Sequence, residues 1–362
     1  MKILLGIGHP ADVHFFKNFI KEMKSVGHDL FVAAREKEIT YFLLDKYTIP
    51  YHRISFHQKT IIKKIINYFI RWGRTFKLCK IIKPDIAMGV GDFYLPQIGK
   101  LSGFQTVVIT DTEQVMHDSF LTFPFVSHIL TPSCYKKNLK KKHIRYTSYN
   151  ELAYLAPKYF TPDPKIYDLL GIKKNQRYVI IRFVSWTAVH DTGHRGLTPD
   201  MKKAAVKEFS KYATVFISSE QELPGELKDY KIPVSPEKIH HALYYADLLY
   251  GESSTMASEA ACLGTPAIYI DDRGRGYTDE QGEKYGLVFN FKGSLEGQKC
   301  SIQKGIELLT TPGIKRQWHH KRDKMLGDKI DVTAFMVWFI ENYPESVKII
   351  KENPDYLLRF NI

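Results

Sequence analysis

An α/β protein built from two doubly wound halves is what this sequence predicts, on three observations. Short apolar runs alternate with amphipathic helical stretches from residue 2 to residue 133. A proline-bearing segment, TPDPK (161–165), interrupts the pattern, which then restarts at RYVIIRFV (177–184) and runs to AIYI (267–270). Strands alternating with helices imply a parallel sheet with helices on both faces. The expected division is 1–160 and 161–331, with a central cleft between the halves. Ligands in such sheets sit past the carboxyl ends of the strands.

Each element has its own signal. KILLGIG (2–8) is a strand, and HFFKNFIKEMKSVG (14–27) is a helix stopped by Gly27. DLFVAA (29–34), EITYFLLDKY (38–47) and PYHRIS (50–55) continue as strand, helix and short strand, before a basic helix over 59–82. DIAMGVG (85–91), LPQIGKLSG (95–103), QTVVITD (105–111) and HILTPS (128–133) read strand, helix, strand, strand. In the second half, RYVIIRFV, a helix near 199–211, TVFISS (214–219), IPVSP (232–236) and a short helix over 236–245 lead to DLLYG (247–251). An apolar helix, VTAFMVWFIENY (332–343), follows where the second sheet should be complete. With the tail to Ile362 it is expected to cross back onto the first half.

Composition bounds the function. Of 362 residues, 44% are hydrophobic and 25% charged, as in globular proteins. No apolar run approaches the ~20 residues of a membrane span. The opening MKILLGIGHP breaks at Gly6, Gly8 and Pro10, and reads as a buried first strand rather than a leader. Cys79, Cys134, Cys262 and Cys300 are widely spaced, which suits free thiols in a reducing cytoplasm. The net charge of +13 is uneven: residues 1–160 hold 24 Lys and Arg against 12 Asp and Glu, and the remainder 28 against 27. The excess concentrates in 59–83, where Ile, Phe and Trp72 interleave with lysine and arginine, and in 136–146. An amphipathic basic surface of this kind suits an anionic membrane as well as a core-facing helix with a solvated back. No nucleic-acid-binding signature accompanies it, so nucleic acid is not an expected partner.

The richest stretch runs from Asp247 to Ile270: strand, the tight loop Glu252–Ser253–Ser254, a helix, a tight turn, strand. A loop that opens a helix presents unpaired amides and the positive end of the helix dipole. Gly251, Ser253, Ser254 and Thr255 line it, and Glu259, one turn further on, is placed to accept from a sugar diol. Such a loop fits the ribose and diphosphate of a nucleotide-sugar, and also an ordinary serine cap. Arg182 and Ser185 lie at another strand end facing this loop, and Arg182 is placed either to neutralise the diphosphate as it leaves or to form an interdomain salt bridge. In the first half, His9, Asp12 and His14 follow the first strand; His14 is expected to open the helix and face the cleft as general base. Asp92, Asp111, Glu113 and Asp118 lie at later strand ends, either as caps or as an acid/base set. The pairs His240–His241 and His319–His320 are adjacent on helices and do not share a face, and Asp271–Asp272 only ends a strand. No metal site and no cofactor are expected.

With these residues in view, the chain resembles the GT-B superfamily of nucleotide-sugar enzymes, and more closely the family known as domain of unknown function 354. PADVHFFKNFIKEMKSVGHDLFVAAR, KPDIAMGVGD, DTEQV with LTFPF, YNELAYLAPKYFTPDP and ADLLYGESSTMASEAACLGTPAIYI carry the resemblance over about residues 1–275. It implies two Rossmann-like domains with a returning C-terminal helix, and a glycosyltransferase of cell-surface polysaccharide or glycolipid assembly. The donor would be a UDP-sugar, the acceptor a saccharide or a lipid-linked one, and the location the cytoplasm or the inner face of the plasma membrane. The loop from His9 to His14 is similar to the Gly/His-rich loop of the transferase that glycosylates a lipid-linked peptidoglycan precursor. Gly91–Asp92 and Glu113 are similar to acid/base positions of non-hydrolysing UDP-N-acetylglucosamine 2-epimerases. A sugar-nucleotide epimerase and a non-catalytic sugar-nucleotide binder are the alternatives. One departure stands out: where the family carries glycines this chain has GESS, and Glu252 would repel a diphosphate unless its side chain turns away.

Overall fold

A computed structural model describes the chain apart from residues 56–60, 114–121 and 185–195, and for 61–66 it describes the backbone only. Ser185 and Asp118 therefore lie outside the described residues. From the first residue the order is β1 (Lys2–Ile7), α1 (Pro10–Ser25), β2 (Asp29–Arg35), α2 (Thr40–Lys46), β3 (His52–Ser55), α3 (Ile61–Ile82), β4 (Ile86–Val90) and α4 (Tyr94–Ser102). Then come β5 (Gln105–Ile109), β6 (His128–Pro132), β7 (His143–Tyr146), α5 (Leu152–Leu155), α6 (Ile166–Leu169), β8 (Tyr178–Phe183), α7 (Pro199–Phe209) and β9 (Thr214–Ser219). The second sheet continues with α8 (Ile239–Tyr245), β10 (Leu248–Gly251), α9 (Ser254–Leu263), β11 (Ala267–Ile270), α10 (Gly276–Glu283) and β12 (Val288–Phe291). Four helices close the chain: α11 (Leu295–Thr310), α12 (Ile314–Gly327), α13 (Val332–Glu341) and α14 (Glu345–Glu352).

Two compact units result, Met1–Tyr154 with Lys329–Ile362, and Leu155–Asp328. The first holds a parallel sheet in the order β3-β2-β1-β4-β5-β6-β7, the second a parallel sheet in the order β12-β11-β10-β8-β9. Central strands such as β1 and β10 are buried almost throughout, which explains their unbroken apolar runs: helices cover both faces. α13 packs on α1, and Thr333 Oγ1 donates to the Ala153 carbonyl at 3.0 Å. The apolar C-terminal helix thus completes the first unit, as expected.

One local reading needs correction, and the structure settles two further segments. α1 begins at Pro10 rather than at His14, because His9 caps it and proline, lacking an amide, suits the first helical position. IPVSP forms no strand; only an isolated bridge between Ile217 and Lys231 touches the sheet there. The lysine-rich run 136–146 ends in β7, whose Ile144 and Tyr146 point into the core while His143 and Arg145 stay half-buried.

Candidate functional site

Each sheet reverses its strand order once, and the reversals decide where a ligand can sit. In the first, the chain winds from β1 outward to β2 and β3, then returns to the other side with β4 to β7. Right-handed crossovers send α1 and α4 to opposite faces and open a crevice past the carboxyl ends of β1 and β4. In the second sheet the same reversal lies between β8 and β10, where α7 and α9 part.

Around the first crevice, the loop after β1 is held by a reciprocal cap. His9 Nδ1 accepts from the Ala11 amide at 3.2 Å, and Asp12 Oδ2 accepts from the Gly8 and His9 amides, both at 2.9 Å. Asp12 is buried, and that burial pushes its carboxyl up to about 7 even against the two amide bonds and the positive charges of Lys37 and Arg35. His14 lies a turn inside the helix, 6% exposed, with Nδ1 3.2 Å from the Tyr47 hydroxyl and its ring 5.4 Å from that of Tyr154. His9, half-buried, stands just past the end of β1.

Asp92 closes the other side. Its Oδ1 accepts from the amides of Tyr94 and Leu95 at 2.8 and 3.1 Å and so caps α4. The carboxylate lies against the paired residues Gly6 and Gly89: an added Cβ would stand 2.2 Å from Asp92 Oδ2 at Gly6 and 2.6 Å from Asp92 Cβ at Gly89. Burial raises this carboxyl above the usual range, opposed by its two amide bonds and by Arg35 and Arg71. Asp111 and Glu113 fall one strand further out. Asp111 Oδ2 accepts from Asn150 Nδ2 at 2.7 Å, and Asn150 Oδ1 accepts from the Tyr146 hydroxyl. Glu113 is buried, accepts from the Lys136 amide at 3.2 Å, and has its carbonyl bonded by the Lys137 ammonium. The fold thus brings His9, Asp12 and Asp92 to one crevice and uses Asp111 and Glu113 to hold the adjoining loops.

At the second crevice, β10 ends in Gly251 with φ 153°, where an added Cβ would lie 2.2 Å from the Arg182 carbonyl. Only glycine lets β10 run this close to β8. Glu252 turns away from the loop mouth. Its Oε2 accepts from the Val184 amide at 3.1 Å, its Oε1 from the Leu197 amide at 2.6 Å, and Lys202 Nζ stands 3.3 Å off. The Glu252 charge is thus met by two amides and an ammonium. Ser253 caps α9 by accepting from the Met256 amide at 3.3 Å, and Ser254 and Thr255 are half-buried beside it.

Glu259 is buried, with Oε1 2.9 Å from His240 Nε2, so the pair ties α8 to α9. Arg182 is held by Ser218 Oγ at 2.9 Å and Glu220 Oε1 at 2.8 Å, while its buried Nε has no hydrogen-bond partner among the described residues.

Sequence reasoning missed one cluster. The buried Tyr269 hydroxyl donates to Asp271 Oδ2 at 2.7 Å and meets the Ser254 side chain, while Arg275 Nη1 stands 3.5 Å from the same carboxylate. Burial raises the Tyr269 phenol. The signal was present as the arginines of DDRGRGY, placed just before α10 and one strand over from the serine loop.

Solved structures share this fold at low sequence identity. The chain superposes on the spinosyn rhamnosyltransferase SpnG complexed with spinosyn aglycone (TM-score 0.63, 13% identity, covering 94% of this chain and 100% of that one). It superposes equally on UDP-GlcNAc 2-epimerase from Neisseria meningitidis bound to UDP-GlcNAc (TM-score 0.65, 14% identity, 94% and 100% covered). S. aureus MnaA with UDP gives a TM-score of 0.68 at 12% identity, with 96% and 98% covered. These likenesses establish the GT-B fold. In sequence, an uncharacterized protein of Methanocaldococcus jannaschii, MJ0665, is 22% identical over 278 residues, 74% of this chain and 81% of that one. A family match spans residues 1–273, from β1 through both crevices to the end of β11, and the chain belongs to that family, described as Protein of unknown function (DUF354).

Proposed function

We propose that this protein is a glycosyltransferase that moves a sugar from a nucleotide-diphosphate-sugar, a UDP-sugar by preference, to a saccharide or lipid-linked acceptor, without a metal ion. The observation that carries the reading is the loop Gly251–Thr255. A glycine pressed against β8, a glutamate turned inward and a helix start whose Met256 amide is capped by Ser253 leave the Ser254 and Thr255 amides of α9 for an anion. Solved neighbours bound to UDP, UDP-GlcNAc and thymidine diphosphate support a diphosphate ligand.

In this reading the second unit holds the donor. The acceptor oxygen attacks the anomeric carbon, the bond from that carbon to the diphosphate breaks, and the acceptor proton passes to a base. The α9 amides, the hydroxyls of Ser253, Ser254 and Thr255, and the charge of Arg182 stabilise the departing diphosphate. Glu259, oriented by His240, receives the ribose diol. His9 takes the role of base that His14 was expected to fill, because His14 is enclosed by Tyr47 and Tyr154. The place of action is the cytoplasm and the inner face of the plasma membrane, in assembly of a cell-surface polysaccharide or glycolipid.

A specific observation also favours a second reading. Asp12 and Asp92 are buried carboxyls with raised affinity for protons at neighbouring strand ends, as an acid/base pair of a sugar-nucleotide epimerase would be. Incubation with the nucleotide-sugar alone separates the two. Conversion to an epimer without acceptor supports the epimerase; an unchanged donor that is consumed only when acceptor is added supports the transferase.

A further inference from the structure

We propose that the outward face of α3 is a docking surface for an anionic lipid bilayer, a partner beyond the donor and acceptor of the transfer reading. Within 67–82 the inward residues are settled: Thr75, Leu78, Cys79 and Ile82 are buried, and Tyr68, Trp72 and Phe76 pack against the same core. Seven residues are exposed, namely Phe69, Ile70, Gly73, Arg74, Lys77, Lys80 and Ile81. At the helical step of about 100° per residue they all fall within one arc of about 140°.

That arc combines two features. Phe69 is 68% exposed, Ile70 43% and Ile81 70%, which is unusual company for a water-facing helix. Arg74, Lys77 and Lys80 lie among them, and α3 contains no acidic residue at all. The neighbouring α4 packs against α3 and ends in exposed Lys100 and 65%-exposed Leu101. Among the described residues no helix is long and apolar enough to cross a membrane, so contact with a bilayer is at its surface.

Charge and apolarity together select the occupant. A second copy of this chain would set one cationic face against another. A nucleic acid would satisfy the cations but leave Ile70, Ile81 and Leu101 without apolar partners. An anionic bilayer satisfies both: headgroups take the lysines and arginine, and the acyl boundary takes Phe69, Ile70 and Ile81.

The test is co-sedimentation of the full chain with phosphatidylcholine vesicles, with and without phosphatidylserine, at low and at physiological salt, with no nucleotide-sugar present. The protein is expected to pellet with the phosphatidylserine vesicles only, and more weakly as salt rises. Lys77→Glu with Lys80→Glu should lower binding by about five-fold for each charge removed, before counting the repulsion of the new carboxylates. Phe69→Ser with Ile81→Ser, both exposed and so harmless to folding, should weaken what survives at physiological salt. No pelleting with phosphatidylserine vesicles at low salt would overturn the proposal, and so would unchanged binding by the charge-reversed variant. Tight binding to single-stranded DNA with none to vesicles, or a dimer that the same variants dissociate, would overturn it in favour of the other occupants. Failure here leaves donor binding unaffected, so the two readings fall separately.

Discussion

Glu252 Oε1 accepts from the Leu197 amide at 2.6 Å. Its other oxygen accepts from the Val184 amide, so one buried carboxylate holds both the end of β8 and the approach to α7. A negative charge beside a proposed diphosphate loop is thereby turned into a brace for the strand that Gly251 must pass. Glu252→Ala would leave two amides and Lys202 without their acceptor, and should cost about 3 kcal/mol in urea unfolding. Glu252→Gln keeps one acceptor oxygen and should cost less; equal losses for both would show that the brace rests on the charge of the carboxylate and not on a single acceptor oxygen.

The two histidines after β1 should separate by their effects. His9→Ala should lower turnover by ~10²–10⁴-fold with the protein still folded, the range for a lost general base. His14→Ala should act mainly on stability, by about 2 kcal/mol, because it strips the Tyr47 hydroxyl of a partner and leaves a gap beside Tyr154. Steady-state rates beside thermal melts of both variants decide, and the reverse pattern would return the base to His14.

Asp12 predicts a pH slope. An unfolded aspartate loses its proton near 3.8, whereas the folded Asp12 keeps it up to about 7. Between those values the unfolded chain binds fewer protons than the folded one, so this group's contribution to stability falls as pH rises through the window. Asp12→Asn, which still offers an oxygen to the Gly8 and His9 amides, removes the slope. Relative to wild type it should gain on the order of 4 kcal/mol between about pH 4 and pH 8 in urea unfolding. A difference that does not change with pH would refute the raised proton affinity.

Glu259 should distinguish nucleoside from diphosphate. Glu259→Gln is expected to weaken UDP by roughly ten-fold in calorimetric titration, the size of one lost charged hydrogen bond. Pyrophosphate, which lacks the ribose, should bind the variant as it binds wild type. Equal weakening of both would assign Glu259 to the architecture of α8 and α9 alone.

Strand ends were the most legible part of this chain. Long apolar runs bounded by glycine, as in KILLGIG and DLLYG, mark buried parallel strands with little ambiguity, and the residues just past them fall at the two crevices. Helix starts were harder. His9–Pro10 already carried a capping signal, but the aromatic run from His14 drew attention to the wrong turn. β7 was hidden because its two core residues, Ile144 and Tyr146, are embedded among lysines that reach solvent. Partners of carboxylates were not legible at all. Nothing local says that Glu252 faces Leu197 or that Glu259 meets His240, because those pairs are set by the packing of strands and helices distant in sequence.

The central claim is that the α9 loop takes a nucleotide-sugar, and the thermal melt of the wild-type chain against a panel of nucleotides and nucleotide-sugars tests it most directly. A ligand that binds only the folded state raises the melting temperature, and the rise grows with the logarithm of its concentration above Kd. A clear rise with one diphosphate-sugar and with its parent nucleoside diphosphate, lost in Ser253→Ala, is the predicted result. No rise with any member of the panel would contradict it, and the Gly251–Thr255 loop would then be an ordinary capped turn between strand and helix.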